Sequence, residues 1–150
     1  MPTISRSRTV NAAPDEVWRV VSDPDQLPRW WPQAKRVEDV SESAFTLVLG
    51  SPRGKAVRAD YTLVEVEPLE RLVWRHEVEE SPFERILRES STELRVEPEP
   101  GGDCQVSVTV RNRPRGLARF GALQLRRATA RQVDEALAGL QSLFGPVEAA

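Results

Sequence analysis

The stretch that decides the fold is NAAPDEVWRVVSDPDQLPRWWP, which spans residues 11–32. Pro14 suits the first turn of a helix, and the valines that follow it recur at helical spacing. Because the residue before a proline is pushed out of the α region, Asp23-Pro24 ends this helix. A second, short helix or turn follows between two prolines and carries two adjacent tryptophans. The stretch therefore predicts a pair of short helices.

Alternating apolar and polar residues predict strands on both sides of this helix pair. The predicted strands cover residues 3–11, 36–40, 44–49, 57–66, 71–79, 86–97 and 104–111. From Leu117 to Phe144 the apolar period changes to three or four, which predicts one long amphipathic helix. Short turns between consecutive strands favour an antiparallel sheet, and the helix has to bury its apolar stripe against that sheet. The predicted fold class is therefore α+β.

Composition excludes several kinds of site. The chain of 150 residues has the length of one domain, spanning 1–150, and a net charge of −2 that gives no reason to expect a nucleic-acid partner. One histidine excludes a site with two histidine ligands, and one cysteine excludes an internal disulfide or a multi-cysteine zinc site. No metal-ligand spacing or glycine-rich phosphate loop stands out, so we expect no metal and no cofactor. Without a leader or an apolar run of about 18 residues, we expect a cytoplasmic protein that does not span a membrane.

The chain resembles the START-related, birch-pollen-allergen-like (SRPBCC) superfamily of helix-grip proteins, described also as polyketide cyclase/dehydrase and lipid transport. The resemblance rests on residues 11–32, on TLVEVEPLERLVWR at 62–75 and on RGLARFGALQLRRATARQVDEALAGLQSLF at 115–144. It implies a curved antiparallel sheet of about six or seven strands wrapped around the long C-terminal helix, with two short helices after the first strand. It also implies an apolar cavity between sheet and helix. Members share no catalytic motif, so no catalytic residue is carried over.

His76 and Tyr61 are the candidates for acid–base chemistry. Strand alternation places His76 on the same face as Trp74, towards the helix, although a register slip of one residue would move it into solvent. His76 can then be a general base or hydrogen-bond partner in a cavity, or a hydrogen-bonded core histidine. Tyr61 and Trp74 can form an aromatic cavity wall or part of the plain core. Both interpretations stay open for each residue.

Arginines supply two further hypotheses. Alternation places Arg88 on the inward face, where it could anchor a ligand carboxylate, unless the strand projects near its start and leaves Arg88 in solvent. Residues 111–133 hold seven arginines and no acidic residue. This segment can be a basic face for anionic lipid headgroups or an acidic partner, or a solvated helix face. A peripheral contact of this kind would run through Arg119, Arg126 and Arg127.

The leading hypothesis is the binding, with possible transport, of a small hydrophobic molecule, lipid-like or polyketide-like, in the cavity. The residues expected to line or gate the cavity are Trp30, Trp31, Phe45, Tyr61, Trp74, His76 and Arg88. The family pattern implies that Trp30 is the more buried indole and that Trp31 lies nearer the entrance. The alternatives are a cyclase/dehydratase-type enzyme that uses His76 or Tyr61, and a docking module that uses the arginine-rich segment. The identity of the ligand and the oligomeric state stay open.

Overall fold

The structure is a computed structural model that describes residues 3–50, 54–116 and 119–145, with the backbone alone for 119 and 120. The strands are β1 Thr3–Val10, β2 Ala34–Glu38, β3 Ala44–Leu49, β4 Val57–Glu67, β5 Arg71–His76, β6 Leu87–Pro98 and β7 Cys104–Pro114. The helices are α1 Pro14–Val21, a 3-10 helix Pro24–Arg29, and α2 Arg119–Phe144. The expected start of the long helix at Leu117 lies outside the described residues.

All seven strands form one antiparallel sheet in the order β1-β7-β6-β5-β4-β3-β2. The sheet is curved, and α2 packs against β1 and β7 and touches the 3-10 helix. This confirms the predicted α+β helix-grip arrangement, with two short helices between the first two strands. No helix in the described ranges is long and apolar enough to cross a membrane.

The carboxyl half of α2 is the part that anchors the helix on the sheet. Val133, Ala136, Leu137 and Leu140 recur at helical spacing and are completely buried. Gly139 lies on the same part of the helix, where a Cβ atom would stand 2.6 Å from the backbone oxygen of Trp30. Glycine is therefore required here because the two backbones approach too closely for a side chain.

Two irregularities shape the entrance to the inner face of the sheet. β5 ends at His76 rather than Glu79, and a series of turns follows up to β6. At the start of β6, Leu87 pairs with Pro114 while Glu89 pairs with Arg113, which is a β-bulge. A bulge shifts the inward and outward alternation by one residue, so Leu87 and Ser90 are both buried.

The bulge corrects one expectation about the site. Arg88 is the additional residue at the bulge, and its side chain is exposed. The inward placement of Arg88 expected from simple alternation is therefore wrong, and the alternative of a solvated arginine near the strand start describes the structure.

Candidate functional site

A cavity of about 350 Å³ lies between the inner face of the sheet and the middle of α2. Two loops complete its wall, residues 31–33 after the 3-10 helix and residues 83–86 before β6. Gln33, Ile86 and Arg131 belong to the lining and are exposed, so the cavity opens to solvent along this rim.

The register of the sheet places one row of side chains across the inner face. Each member pairs directly with the next on the neighbouring strand, from β3 through β7. The members of this transverse row are Phe45, Tyr61, His76, Ser90 and Asn112. The row is aromatic at the β3 end and polar at the β7 end, and its members Tyr61, His76, Ser90 and Asn112 line the cavity.

The polar end of the transverse row is bonded to the helix. The Ser90 hydroxyl donates to Asn112 Oδ1 at 2.7 Å, and Asn112 Nδ2 donates to Thr129 Oγ1 on α2 at 3.1 Å. All three side chains are buried and line the cavity. Because Thr129 is the acceptor in this chain of bonds, its own hydroxyl proton can be donated to a further acceptor.

The aromatic end is a stack of rings. Tyr61 stacks on His76 with ring centroids 4.8 Å apart, and Phe45 stacks on the Tyr61 ring at 5.3 Å. Phe83 approaches His76 edge-on at 4.7 Å from the loop before β6. These ring contacts hold the His76 imidazole in one orientation in the cavity wall.

Burial sets the protonation of both candidate acid–base groups. Desolvation lowers the pKa of His76 to about 4, against the opposing effect of the Asp60 and Glu77 carboxylates. Desolvation raises the pKa of Tyr61 to about 12. Near neutral pH the wall therefore presents an uncharged imidazole beside a protonated phenol.

Three buried nitrogen atoms around this site have no hydrogen-bond partner among the described residues. They are Nε1 of Trp30, Nε1 of Trp31 and Nε2 of His76. Leaving a buried donor or acceptor without a partner costs roughly 1–3 kcal/mol. Such atoms are rare in folded proteins, and two of the three belong to residues that line the cavity, Trp31 and His76.

Of the residues predicted to line the cavity, Trp31, Tyr61 and His76 do so. Phe45 and Trp74 lie one layer deeper, beside a second void of about 10 Å³ that Trp31 and Tyr61 also border. These two residues therefore support the wall and do not face the main cavity.

Trp30 does not line either space. Its side chain is 3% exposed, compared with 7% for Trp31, and the two rings meet edge-on at 5.5 Å. The expectation that both indoles border the cavity is corrected by this placement, because the close approach of Gly139 holds the Trp30 backbone against α2.

Several lining residues were not predicted from the sequence, among them Asn112, Thr129 and Phe83. Asn112 continues the inward alternation of β7. A polar residue at the end of this apolar inward series could have indicated a site residue. Thr129 precedes Val133 by four residues and so belongs to the inward stripe of α2. Phe83 lies in a loop, where no periodicity exists to indicate its direction.

The structure describes only part of the arginine-rich segment 111–133 that was predicted to form a basic face. Arg126 and Arg127 are exposed and take part in no ion pair within the described ranges. The side chain of Arg119 lies outside the described part of the chain.

Solved structures share the whole fold. The di-domain ARO/CYC BexL from the BE-7585A biosynthetic pathway is 23% identical, with a TM-score of 0.79 over 95% of this chain and 46% of BexL. The di-domain ARO/CYC StfQ from the steffimycin biosynthetic pathway is 18% identical, with a TM-score of 0.72 over 95% of this chain and 50% of StfQ. A START superfamily protein from Mycobacterium smegmatis is 11% identical, with a TM-score of 0.76, and the match covers 95% of this chain and 96% of that protein.

At these identities the similarity establishes the fold alone. No curated protein matches the chain in sequence. A family model does match, over residues 1–145. The chain therefore belongs to the family described as polyketide cyclase / dehydrase and lipid transport.

Proposed function

We propose that the chain binds a small, largely hydrophobic molecule in the cavity between the sheet and α2. The observation that carries the proposal is the cavity of about 350 Å³ with an aromatic wall at one end and a bonded polar group at the other. Small-molecule sites usually have volumes of about 300–1,000 Å³ and apolar walls with a few placed polar groups.

The wall indicates how such a molecule would lie. Trp31, Tyr61 and Phe83 offer ring surfaces to its apolar part. A ligand that buries about 200 Å² of apolar surface would gain about 5 kcal/mol from that contact. Asn112 and Thr129 would fix its orientation by hydrogen bonds to a polar end.

The interior favours an uncharged ligand group. Among the described lining residues, Arg131 and Glu135 are charged, and both are exposed at the rim. His76 is neutral near pH 7 because burial lowers its pKa to about 4. Burying an unpaired charge beside these groups would be costly, so a carbonyl or hydroxyl fits the deep end better than a carboxylate.

A filling mutation tests the proposal. Leu125 on α2 lines the cavity, whereas Gln124 beside it is exposed and does not. Leu125→Trp should abolish saturable binding of lipid-like and polyketide-like molecules in a titration, while Gln124→Trp should leave the Kd within about two-fold. Equal affinity in both variants, or no saturable binding to the unmodified chain, would refute binding in this cavity.

A cyclase/dehydratase-type activity is the second candidate. The observation in its favour is the neutral imidazole of His76 stacked on the protonated phenol of Tyr61 in the cavity wall. In this scheme His76 accepts a proton from a substrate carbon, and the Tyr61 hydroxyl donates a hydrogen bond to the substrate oxygen. His76→Ala and Tyr61→Phe should then each reduce turnover by at least about 100-fold while the Kd changes little. Turnover that survives both substitutions would exclude this mechanism.

A further inference from the structure

The hydrogen bonds at the polar end of the cavity all run in one direction. Asn112 Oδ1 is a carbonyl oxygen that can only accept, so the Ser90 hydroxyl gives its proton to it, at 2.7 Å. Asn112 Nδ2 can only donate, so Thr129 Oγ1 accepts from it, at 3.1 Å. This hydrogen-bond series therefore starts on β6, crosses β7 and ends at the Thr129 hydroxyl on α2.

The Thr129 hydroxyl keeps a proton of its own. A serine or threonine in a helix commonly donates to the carbonyl four residues before it, as Ser142 of α2 does to Ala138 at 3.0 Å. Thr129 makes no such bond to Leu125, and the bond from Asn112 is the one that its side chain makes to the described residues. Thr129 is 7% exposed and lines the cavity. The series thus ends with a buried donor that has no acceptor within the described part of the chain.

The wall beside this donor is apolar. Val110, two residues before Asn112, and Leu125, one turn before Thr129, also line the cavity. The charged lining residues Arg131 and Glu135 are exposed at the rim. A ligand that displaces water from this wall leaves the Thr129 proton unpaired unless the ligand itself carries an acceptor.

Three kinds of neutral ligand group would meet the Thr129 proton differently. A hydrocarbon offers no acceptor, so the buried proton stays unpaired. A hydroxyl can accept the proton, but it brings another proton that then needs an acceptor of its own. A carbonyl oxygen accepts and brings no proton, so it completes the series without leaving a donor unpaired. The direction of the series therefore favours a carbonyl.

We propose that the polar end of the cavity selects a neutral carbonyl oxygen, so that the chain prefers a ketone or a related carbonyl compound to the matching alcohol or hydrocarbon. Thr129 donates the hydrogen bond to this oxygen, and the apolar remainder of the ligand extends towards Tyr61 and Phe83. Because it requires a ligand in the cavity, this preference rests on the proposed function and names the chemical class of its ligand.

Ser90 acts on the ligand through Asn112 and Thr129. The Ser90 bond holds the Asn112 amide with its oxygen towards β6 and its nitrogen towards α2. Without the Ser90 proton the amide gains nothing from this orientation and can turn over, so that Oδ1 accepts the Thr129 proton. The series would then end within the protein, and a carbonyl ligand would lose its donor. Ser90 is therefore a positioning residue for the carbonyl.

Equilibrium dialysis of the purified full chain against three probes tests the proposal. Fluorenone, fluorenol and fluorene share one tricyclic skeleton and differ in having a carbonyl, a hydroxyl or plain hydrogen at the bridging carbon. The carbonyl preference is defined as the Kd of fluorene divided by the Kd of fluorenone. Changes in this ratio between variants do not depend on how the probes are solvated in water. We expect the unmodified chain to bind fluorenone more tightly than fluorenol.

Variants of the series have graded expected effects. Thr129→Val keeps the shape of the side chain without its hydroxyl, and should lower the carbonyl preference about ten-fold, which is the value of one net hydrogen bond. Ser90→Ala should lower it about three-fold, since part of the Asn112 amide population turns over. Thr129→Ser restores the donor and should keep the preference within about two-fold of the unmodified chain. A role in stability alone would leave the preference unchanged in all three variants.

Two further variants are the controls. Thr92 is buried and lines the cavity but lies outside the series, so Thr92→Val should leave the carbonyl preference within about two-fold of the unmodified chain. Leu125→Trp should abolish the binding of all three probes, which verifies that they occupy the cavity. Thermal unfolding verifies that each variant is folded.

Failure of the carbonyl preference and failure of the proposed function are read out separately. Three results would overturn the preference: no change in Thr129→Val, an equal fall in Thr92→Val, or tighter binding of fluorenol than of fluorenone. In each of these cases, saturable binding that Leu125→Trp abolishes would still support the proposed function. The absence of saturable binding by any probe would overturn both.

Discussion

The outer face of the sheet and the aromatic end of the inner cavity wall differ in whether their polar groups have partners. On the outer face, Glu93 bonds Arg71 and lies 3.6 and 3.7 Å from Arg95 and Arg111. On the inner wall, a nitrogen of His76 and the indole nitrogen of Trp31 have no partner among the described residues. The outer face pairs its polar groups with one another and so stabilises the fold, whereas the inner wall leaves two buried nitrogens without a partner among the described residues.

The two adjacent tryptophans give the sharpest test of this difference, with the largest expected effect. Trp30 packs in the core against α2, so Trp30→Ala should lower the free energy of unfolding by about 3–5 kcal/mol. Trp31 borders the cavity, so Trp31→Ala should mainly weaken ligand binding. Urea unfolding and ligand titration of both variants measure the two effects, and the reverse assignment would contradict the placement of the indoles.

The pH dependence of stability probes the buried imidazole. The pKa of His76 is about 4 in the folded chain, whereas an unfolded histidine titrates near 6.5. Below about pH 6.5 the unfolded chain takes up a proton that the folded chain does not, so stability falls until about pH 4. Between pH 7 and pH 5 we expect a loss of about 2 kcal/mol in the free energy of unfolding.

The His76→Gln variant is the control for this titration. The variant keeps every carboxylate, so it retains the acid sensitivity that groups such as Glu77 contribute. Urea unfolding at several pH values should show a weaker dependence above pH 5 than in the unmodified chain. Parallel curves would mean that His76 is not desolvated in the folded state.

Two serine hydrogen bonds of equal length compare the faces directly, with the smallest expected effect. Ser90 and Asn112 bond at 2.7 Å in the buried wall, and Ser7 and Ser107 bond at 2.7 Å on the exposed outer face. Ser90→Ala should destabilise by about 1–2 kcal/mol because it removes a bond from the buried Asn112 amide, whereas Ser107→Ala should cost less than about 0.5 kcal/mol. Equal losses in chemical unfolding would show that burial does not distinguish the two faces.

Much of the fold could be predicted because periodicity and prolines act locally. The start of the first helix at Pro14 and the strand at 44–49 agree with the structure. The β-bulge at Arg88 could not be predicted, because a bulge depends on pairing between strands and leaves no mark in the alternation of one strand.

The sequence predicts which side chains point inward, but it does not predict which of these line the cavity. Alternation correctly places Tyr61 and His76 inward, since both lie in regular parts of their strands. It cannot separate the cavity lining from the layer behind it, so Phe45 and Trp74 were expected in the same wall. Asn112 joins the site through its bond to Thr129, a contact between β7 and α2 that exists only in the folded chain.

Native mass spectrometry of the chain purified from cells tests the central claim most directly. We expect the unmodified chain and Gln124→Trp to carry a non-covalent small molecule that denaturation releases, and Leu125→Trp to carry none. The bare chain mass in all three, or equal retention by Leu125→Trp, would contradict a ligand in the cavity between the sheet and α2.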